Sequence, residues 1–275
     1  MRKLITASFS RLWKEKIFWF VFLIMSIGSV CYNWIGYNEA TKVQIYVEDM
    51  IFCMLPMSGF VFALFISMCL GTEFEEHTIR NKFIVGYSRT QVYFAEYITC
   101  MVASVILMGI MLLVSTAFGM LFSLEFQSGW HELVLLLFCC VLIASVFSAM
   151  FTAISMNVGS KAASFVVSIV FLFAILLVAS FCINALEEEP MTYSNIVITA
   201  EDGVQFGDLI ENSAYIDGTQ RTVYELIADI LPTGQTIQLN NLEFERAARW
   251  PVFSLIMLII ATVAGYILFR KRDIR

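Results

Sequence analysis

A short charged stretch between two long apolar runs contains the residues whose types and spacing could do chemistry. It reads EFEEHTIRNKFIVGYSRTQ from residue 73 to residue 91, with three glutamates, one histidine and two arginines. Adjacent glutamates could place a general base beside an activated water molecule, which is the chemistry of hydrolysis. On a helix, Glu76 and Arg80 would instead form a surface ion pair at a spacing of four. The stretch therefore either cuts a bond or makes mechanical contact with a partner.

The hydrolytic hypothesis depends on Glu75-Glu76 followed by Arg80, which resembles the first signature of intramembrane prenyl-protein peptidases. Those enzymes also need histidine and acidic or amide motifs in other membrane helices, where the base and the water are kept dry. The two histidines of this sequence are His77, in the same stretch, and His131, in a predicted loop on the other side. Because no Phe stands four residues before either histidine, the second signature is missing. The peptidase is the weaker alternative.

No other motif in the sequence predicts a chemical site. The segment Gly159-Ser160-Lys161 has neither the spacing nor the preceding strand of a phosphate-binding loop, so we expect the chain itself to bind no nucleotide or other cofactor. Two distant histidines cannot build a zinc site, and the seven cysteines fall in apolar runs without a CxxC pair. The predicted spans contain no Asp, Glu, Lys or Arg that would suggest an ion or proton relay, apart from Glu96 at the inner border of the third, so an ion relay is not predicted.

The composition places the chain in a membrane. Of its 275 residues 59% are hydrophobic, 15% are charged and 25 are phenylalanine, more apolar than a soluble domain of this length can bury. Six uncharged runs are about 20 residues long, the length that crosses a hydrocarbon core of about 30 Å. We predict an all-α membrane protein with one membrane domain, residues 1–275, and spans at about 17–35, 51–71, 97–122, 133–156, 162–183 and 251–269.

Basic residues predict the orientation of the six spans. An even number of spans puts both termini on one side, and that side holds 13 of the 17 Lys and Arg. Because basic loops stay in the cytoplasm, both termini are predicted inside and residues 184–250 outside. Residues 2–16 form either an amphipathic interfacial helix on the inner membrane surface or a basic flank that only sets this orientation.

Capping signals predict that the charged stretch is a helix, a turn and a second helix. Residues 72–75 match a capping box and Gly86 is a natural helix stop, so a short cytoplasmic helix is predicted at 73–85. Residues 88–91 match a second capping box, which begins the helix of the third span. A short helix joined directly to two spans could transmit a rigid-body motion.

The 67 residues from 184 to 250 are the only soluble segment of any size. Within them, NIVITAEDGVQF is typical of two short strands about an Asp202-Gly203 turn. We expect Pro232 and Gly234 to end the helix that follows. This small mixed α/β extracellular insertion should rest its helix on the outer membrane surface or on the outer ends of the spans. The apolar repeat that predicts the helix is formed by Val223, Leu226, Ile227 and Ile230.

A basic N-terminal helix, six spans, a charged helix between the second and third, and a large outer segment together resemble the permease subunit of bacterial type 2 ATP-binding cassette (ABC) exporters. The most specific likeness is GTEFEEHTIRNKFIVGYSRTQ, in which a Gly and a Glu leaving the second span precede a Thr-Ile-Arg and then a Ser-Arg. The likeness in topology extends over the whole chain. It implies that the 73–85 helix is a coupling helix that docks on an ABC ATP-binding subunit. The implied coupling residues are Gly71, Glu73, Glu76, Thr78, Arg80, Ser88 and Arg89.

The same resemblance implies an assembly and a path for cargo. ATP and Mg would be bound by the partner subunit, and a second permease, a copy or a homologue, would complete the membrane domain. The path would run between the two permeases, lined largely by the second and fifth spans. An apolar lining favours an amphipathic cargo, such as a peptide antibiotic, a drug or a lipid-like molecule. The implied lining residues are Met54, Met57, Phe60, Phe65, Phe165, Phe171 and Phe173.

In this interpretation the chain is a multi-pass protein of the bacterial plasma membrane, surrounded by the lipid bilayer. It is not itself an enzyme, and it has no nucleic-acid partner. Two alternatives stay open: the intramembrane peptidase, and a non-transporting membrane scaffold or sensor that uses its outer segment.

Overall fold

The computed structural model describes residues 1–39, 44–193, 196–199, 203–206 and 208–272. Within these ranges the chain is mostly helical, with two pairs of short strands. Helices dominate because a backbone in lipid must satisfy its own hydrogen bonds, which a helix does within one segment. The prediction of an all-α membrane protein is confirmed.

Six stretches are long and apolar enough to cross a membrane, and the predicted apolar runs fall on them. In chain order the helices are α1 (Arg2–Leu12), α2 (Lys16–Glu39), α3 (Val47–Phe52), α4 (Leu55–Glu75), α5 (Thr78–Ile84), α6 (Arg89–Leu121), α7 (Trp130–Val158), α8 (Lys161–Glu187), α9 (Gly218–Ile230), α10 (Pro232–Asn240) and α11 (Trp250–Lys271). The six spans are α2, α3 with α4, α6, α7, α8 and α11.

The second span is interrupted at Cys53 and Met54, between α3 and α4. A proline at residue 56 lies in the first turn of α4, where its missing N–H removes no helical hydrogen bond. Glu48 of α3 is fully buried and accepts hydrogen bonds from the backbone N–H groups of Gln127 (3.1 Å) and Ser128 (2.8 Å). These bonds anchor α3 to the loop that joins the third and fourth spans.

The second and fourth spans form the centre of the bundle. In the most apolar part of each, 67% of the residues are buried, against 17% in the sixth span. Aromatic rings fill the contact between α4 and α7: Phe147 stacks on Phe151 at 5.8 Å, and Phe62 lies 6.3 Å from Phe147. The other spans surround this centre and leave much of their surface free for lipid or a partner chain.

The N-terminal residues form a helix, so the amphipathic-helix alternative is favoured over a simple basic flank. Leu4, Ser8 and Leu12, spaced four apart, are buried on one stripe of α1. This stripe packs against α6. The helix is therefore held by its packing against the third span.

The short helix between the second and third spans is shorter than predicted. The predicted helix at 73–85 is wrong at its start, because α4 continues to Glu75 and α5 begins only at Thr78. The Thr72 hydroxyl donates to the Met68 carbonyl at 2.7 Å instead of capping a new helix. His77, with φ of 55°, makes the break between α4 and α5.

The end of α5 and the start of the third span agree with the prediction. Gly86 follows α5 with φ of 100°, a conformation that glycine adopts without strain. The Ser88 hydroxyl accepts from the Gln91 N–H at 3.3 Å, and the Gln91 side-chain oxygen accepts from the Ser88 N–H at 3.0 Å. The predicted capping box at 88–91 is confirmed.

Two antiparallel strand pairs follow the fifth span. The strands are β1 (Met191–Tyr193), β2 (Ile196–Thr199), β3 (Gly203–Phe206) and β4 (Leu209–Glu211). β1 pairs with β4, and β2, which lies between them in the sequence, pairs with β3. The two strands predicted from NIVITAEDGVQF are confirmed, whereas residues 200–202 of the predicted turn lie outside the described residues.

The same segment ends in two helices rather than one. α9 ends at Ile230 as predicted, but Pro232 opens α10, so the prediction that Pro232 and Gly234 only stop a helix is wrong. Proline suits the first turn of a helix. At Gly234 a Cβ would overlap the backbone carbonyl of Ala228, so only glycine allows the close turn. We call α9 with α10 the helical hairpin.

The helical hairpin inserts beside the spans. The Thr233 hydroxyl, at the start of α10, donates to the Ile175 carbonyl of α8 at 3.1 Å. Beyond the other end of α10, the Asn241 side-chain amide donates to Glu187 Oε1 at 3.1 Å. Twelve residues of α8, about 18 Å, separate Ile175 from Glu187. The hairpin therefore reaches between the ends of the spans instead of lying flat on the membrane.

Candidate functional site

Two buried carboxylates meet where α4 ends and α6 begins. The side chains of Glu73, in the last turn of α4, and Glu96, near the start of α6, are each 1% exposed. Lys82 of α5 lies between them, and its Nζ donates to Glu73 Oε2 and to Glu96 Oε1, both at 2.5 Å. One ammonium group thus joins the second span, the short helix and the third span.

α1 supplies a second cation to the same place. The Arg11 guanidinium contacts the Glu73 carboxylate and lies 3.9 Å from Glu96 Oε2. The Ser8 hydroxyl, one turn earlier, donates to Glu96 Oε1 at 2.9 Å. We call Arg11, Glu73, Lys82 and Glu96 the ion cluster. Its two cations balance its two carboxylates, the condition under which buried charge is tolerated.

Glu15 shows how strongly this region is desolvated. Its carboxylate lies 3.2 Å from the Arg11 Nε, a contact that by itself would favour the charged form. Burial nevertheless raises the pKa of Glu15, and the attraction of Arg11 opposes this only in part. Desolvation is therefore the larger effect, and charge attraction near the ion cluster is weakly screened.

Gly71, a predicted coupling residue, allows the second and fifth spans to touch. A Cβ at this position would overlap the Cα of Lys161, the first residue of α8. One turn further on, Glu75 Oε2 lies 3.6 Å from the Lys161 Nζ. The glycine and the ion pair together join α4 to α8 at this end of the bundle, which we call the charged end.

Arg89, a second predicted coupling residue, caps the last span. Its guanidinium donates to the carbonyls of Phe269 (3.3 Å) and Arg270 (3.2 Å), and also to that of Arg272. The last carbonyls of a helix lack the usual partner one turn further on, although the Phe269 carbonyl also accepts from the Arg272 N–H at 3.3 Å. A cation there also offsets the negative end of the helix dipole. The start of the third span is thereby tied to the end of the sixth.

Arg272, which follows α11, caps the end of α7 in the same way. Its guanidinium donates to the carbonyls of Met156 (2.6 Å) and Val158 (3.1 Å) at the end of α7. It also stacks over the Phe74 ring at 4.9 Å. Two arginines in series therefore connect α6, α11, α7 and the end of α4.

α5 and the turns around it also present an accessible surface. Ile84 and Val85 are each 74% exposed, unusual for large apolar side chains. The charged residues Glu76 and Arg80 are exposed near them. We call these four residues the α5 surface. A mixture of exposed apolar and charged side chains is typical of a contact with another protein.

The seven predicted coupling residues thus have different surroundings. Gly71 and Glu73 hold elements together inside the bundle, while Ser88 and Arg89 cap helices. Contact of any of the seven with a partner stays a prediction. Five are at least partly accessible: Glu76, Thr78, Arg80, Ser88 and Arg89.

The sequence argument missed the partners of Glu73. Arg11, Lys82 and Ser8 were not predicted to belong to a site, and Glu96 was noted only as a border residue. A usable signal was present, because Glu73 and Glu96 stand at facing ends of two consecutive spans. Two carboxylates so placed need cations to be buried.

Three predicted path residues lie on neighbouring accessible faces of the second and fifth spans. The rings of Phe60 and Phe173 are 5.2 Å apart. Met57, one turn from Phe60 on α4, is 43% exposed and Phe173 is 49% exposed. Phe165, near the start of α8, is half-buried.

The remaining path residues lie elsewhere. Met54 and Phe65 are buried, and Phe65 packs at 6.1 Å against Phe18 of the first span. Phe171 lines a groove between α7, α8 and α11. The predicted lining therefore does not form one continuous surface in the single chain.

The glutamates and histidines of the hydrolytic hypothesis do not converge. His77 is exposed at the charged end. His131 lies in the first turn of α7, and the last residue of that helix, Val158, is the one at the charged end. The two histidines therefore lie at opposite ends of the bundle, separated by the length of the 29-residue helix α7.

A family model described as ABC-2 family transporter protein matches residues 4–180. The match covers the ion cluster, the first four spans and most of α8, and it ends before the helical hairpin. A search among curated proteins gave no match. Since the family match covers more than half of the chain, the chain belongs to the ABC-2 transporter family, as a permease, the membrane-spanning subunit.

Proposed function

We propose that this chain is the permease of a bacterial ABC exporter and that a separate ATP-binding subunit drives it through α5. The observation that carries the proposal is the ion cluster, in which α5 is joined to α4, α6 and α1 by buried charges. Family membership supports a transport function. The ion cluster supports α5 as the element through which the ATP-binding subunit moves the spans. ATP and Mg would be bound by the partner subunit.

The α5 surface is the proposed docking site for that subunit. Ile84 and Val85 would supply the apolar centre of the contact, and Glu76 and Arg80 its polar rim. Interfaces of this kind depend on a few central side chains that become dry, surrounded by polar ones that fix the register. Lys82 of the same helix is only 11% exposed and its Nζ contacts Glu73 and Glu96, so the residue that joins α5 to the ion cluster is not one of the exposed docking residues.

The ion cluster would make α5 and the two span ends move together. If α5 moved alone, Lys82 would leave Glu73 and Glu96 buried and short of one cation. Breaking a buried ion pair in this way costs about 3–5 kcal/mol. A rigid-body displacement of α5 with the ends of α4 and α6 is therefore cheaper than a local one. Arg89 and Arg272 would extend the moving unit to α11 and α7.

The proposed orientation puts the charged end in the cytoplasm, where ATP is available. Both termini and α5 would lie there, and residues 184–250 would lie outside. Most of the basic residues support this arrangement, since basic loops are retained on the cytoplasmic side.

We further propose a second permease, a copy or a homologue, facing the accessible side of the second and fifth spans. Met57, Phe60 and Phe173 would then line part of an apolar path for an amphipathic cargo. The test is stimulation of the ATPase activity of the reconstituted complex. Amphipathic peptides should raise the activity and charged sugars should not, and the reverse result would contradict the proposed cargo.

The docking proposal can be tested by co-purification of ATPase from the native membrane. Val85→Glu places a charge in the apolar centre of the α5 surface, and it should lower the co-purifying ATPase about tenfold or more. The matched control is Leu121→Glu, because Leu121 is 81% exposed at the other end of the third span. Equal loss in both variants, or a wild-type chain that purifies without an ATPase, would contradict the proposal.

A further inference from the structure

An open groove of about 430 Å³ lies between α7, α8 and α11, and none of its lining residues belongs to the ion cluster or to the α5 surface. Small side chains on α7 and α11 line it, together with larger apolar side chains from all three helices. The residues that shape it are Ala153, Ala261, Ala264, Met150, Met257 and Phe171.

The wall of the groove offers a ligand almost no polar contact. Its one amide side chain belongs to Asn157, and that Nδ2 already donates to the carbonyls of Ala153 (2.7 Å) and Gly265 (3.1 Å). A sugar, an ion or a nucleotide would lose its hydration here without replacement, which is costly. The groove therefore suits a hydrocarbon.

The length of the groove matches one leaflet of a bilayer. Along α11 it runs from Leu268 to Met257, which is 11 residues or about 16 Å. That distance is close to half of a hydrocarbon core of about 30 Å. Asn157, Val158 and Leu268 line the end of the groove that lies at the charged end, which we call the mouth.

Unpaired cations stand at this mouth. Lys271 follows Leu268 by three residues and Ala264 by seven, so all three lie on one face of α11. Lys271 and its neighbour Arg270 are exposed, and neither side chain forms an ion pair within the part of the chain that the structure describes. Arg272, by contrast, is engaged with the end of α7.

We propose that the groove binds one acyl chain of an anionic phospholipid, whose phosphate lies against Lys271. The apolar wall takes the chain, its length matches one leaflet, and the unpaired cation at the mouth complements the headgroup. Anionic headgroups are attracted by about 1 kcal/mol for each basic residue near the surface, about fivefold in affinity. The site needs only the membrane location of the chain and is independent of the ATP-driven cycle.

Native mass spectrometry of the purified full chain tests the proposal, with phosphatidylglycerol and phosphatidylcholine of the same acyl chains as probes. The wild type should retain phosphatidylglycerol about fivefold better than phosphatidylcholine. Ala264→Phe fills the groove and should abolish retention of both lipids. Ile259→Phe places a phenylalanine at an exposed site of α11 outside the groove and should change nothing.

A second variant keeps the test decisive if Ala264→Phe does not fold. Lys271→Gln should remove the preference for phosphatidylglycerol while leaving phosphatidylcholine bound, whereas Lys14→Gln, a change of a basic residue before the first span, should not. Equal retention of both lipids by the wild type would overturn the proposal. It would also be overturned if folded Ala264→Phe kept its lipid, or if this variant halved the mass of the complex, which would make the groove an interface between copies.

Discussion

The two ends of the bundle bury polar groups in different ways. At the charged end, the ion cluster brings full charges together from α1, α4, α5 and α6. In the helical hairpin, most of the buried polar side chains are neutral. Gln235 is typical: its Nε2 donates to the Asp229 carbonyl at 2.6 Å, and its Oε1 accepts from the Ser254 hydroxyl at 2.9 Å.

The hairpin network also contains a charged pair with a buried carboxylate. Asp229 is 2% exposed, and its Oδ1 accepts from the Trp250 Nε1 at 3.2 Å. The Arg246 Nε lies 3.4 Å from the same oxygen, while its Nη2 donates to Gln238 Oε1 at 2.8 Å. Burial raises the pKa of Asp229 in spite of Arg246, so this carboxylate is held less firmly in its charged form.

The comparison teaches that the two ends suit different tasks. A buried pair of full charges costs several kcal/mol to break, whereas a neutral hydrogen bond contributes about 1 kcal/mol net. The charged end is therefore stiff, as the proposed transmission of motion from α5 requires. The hairpin can exchange one set of hydrogen bonds for another at small cost, because each of its neutral bonds contributes little on its own.

The largest effect is expected from Lys82→Ala, which removes one of the two cations from the ion cluster. Glu73 and Glu96 would stay buried with only Arg11 near them, so the free energy of unfolding should fall by about 3–5 kcal/mol. Thermal unfolding in detergent measures the change. Arg80→Ala, in the same helix but exposed, should change stability by less than about 0.5 kcal/mol. Similar losses in both variants would show that the buried ion cluster contributes no more to stability than an exposed charge.

The next effect is expected from Gly71→Ala at the contact of α4 with α8. The new methyl group would overlap the Lys161 backbone, and such overpacking costs about 1–3 kcal/mol. At Gly109, in the middle of the third span, an added methyl group would meet no atom within 4 Å. Gly109→Ala should therefore cause no loss in the same unfolding assay. If both substitutions were neutral, the close approach of the two spans would be refuted.

A smaller effect is expected in the hairpin from Arg246→Met. Asp229 keeps the Trp250 hydrogen bond, so the loss should be about 1–3 kcal/mol, less than for Lys82→Ala. Adding Asp229→Asn should recover part of this loss, because the unpaired carboxylate is then removed. A double-mutant cycle on the unfolding data measures the coupling. Strict additivity would mean that the two side chains do not interact.

The smallest effect is a dependence of stability on pH that Asp229 creates. Burial raises the pKa of Asp229 above its ordinary value of 3.8, so the folded chain holds this proton more tightly than the unfolded chain. Its contribution to stability is therefore largest below pH 3.8 and falls as the pH rises through the window up to the raised pKa. In thermal scans over this range, Asp229→Asn should lose less stability with rising pH than the wild type. Parallel curves would contradict the assignment.

The sequence was most informative at the charged end, because charge between apolar runs is easily recognised. The capping box at 88–91 and the stop at Gly86 depend on nearby residues alone, and both were predicted. The box at 72–75 failed because nothing breaks α4 before His77, so the Thr72 hydroxyl bonds back within the same helix. Arg11 was missed because it lies 62 positions from Glu73 in the sequence, and only the packing of α1 brings them together.

The helical hairpin was harder to predict for a physical reason. α10 reads PTGQTIQLN, in which proline, glycine, threonine and asparagine are weak helix formers and few side chains are apolar. The helix exists because the surrounding spans bury it and satisfy its polar groups, as Thr233 and Gln235 show. Tertiary contacts of this kind leave no periodic pattern in the sequence.

Photo-crosslinking from α5 is the measurement that tests the central claim most directly. A photoreactive amino acid replaces Val85 in one sample and Leu121 in another. Both are exposed apolar positions; Val85 lies just before the third span and Leu121 at its far end. The account predicts a covalent adduct with an ATP-binding subunit from position 85 and none from position 121. An adduct from position 121 alone, or from neither position in a complex that retains its ATPase, would contradict docking on α5.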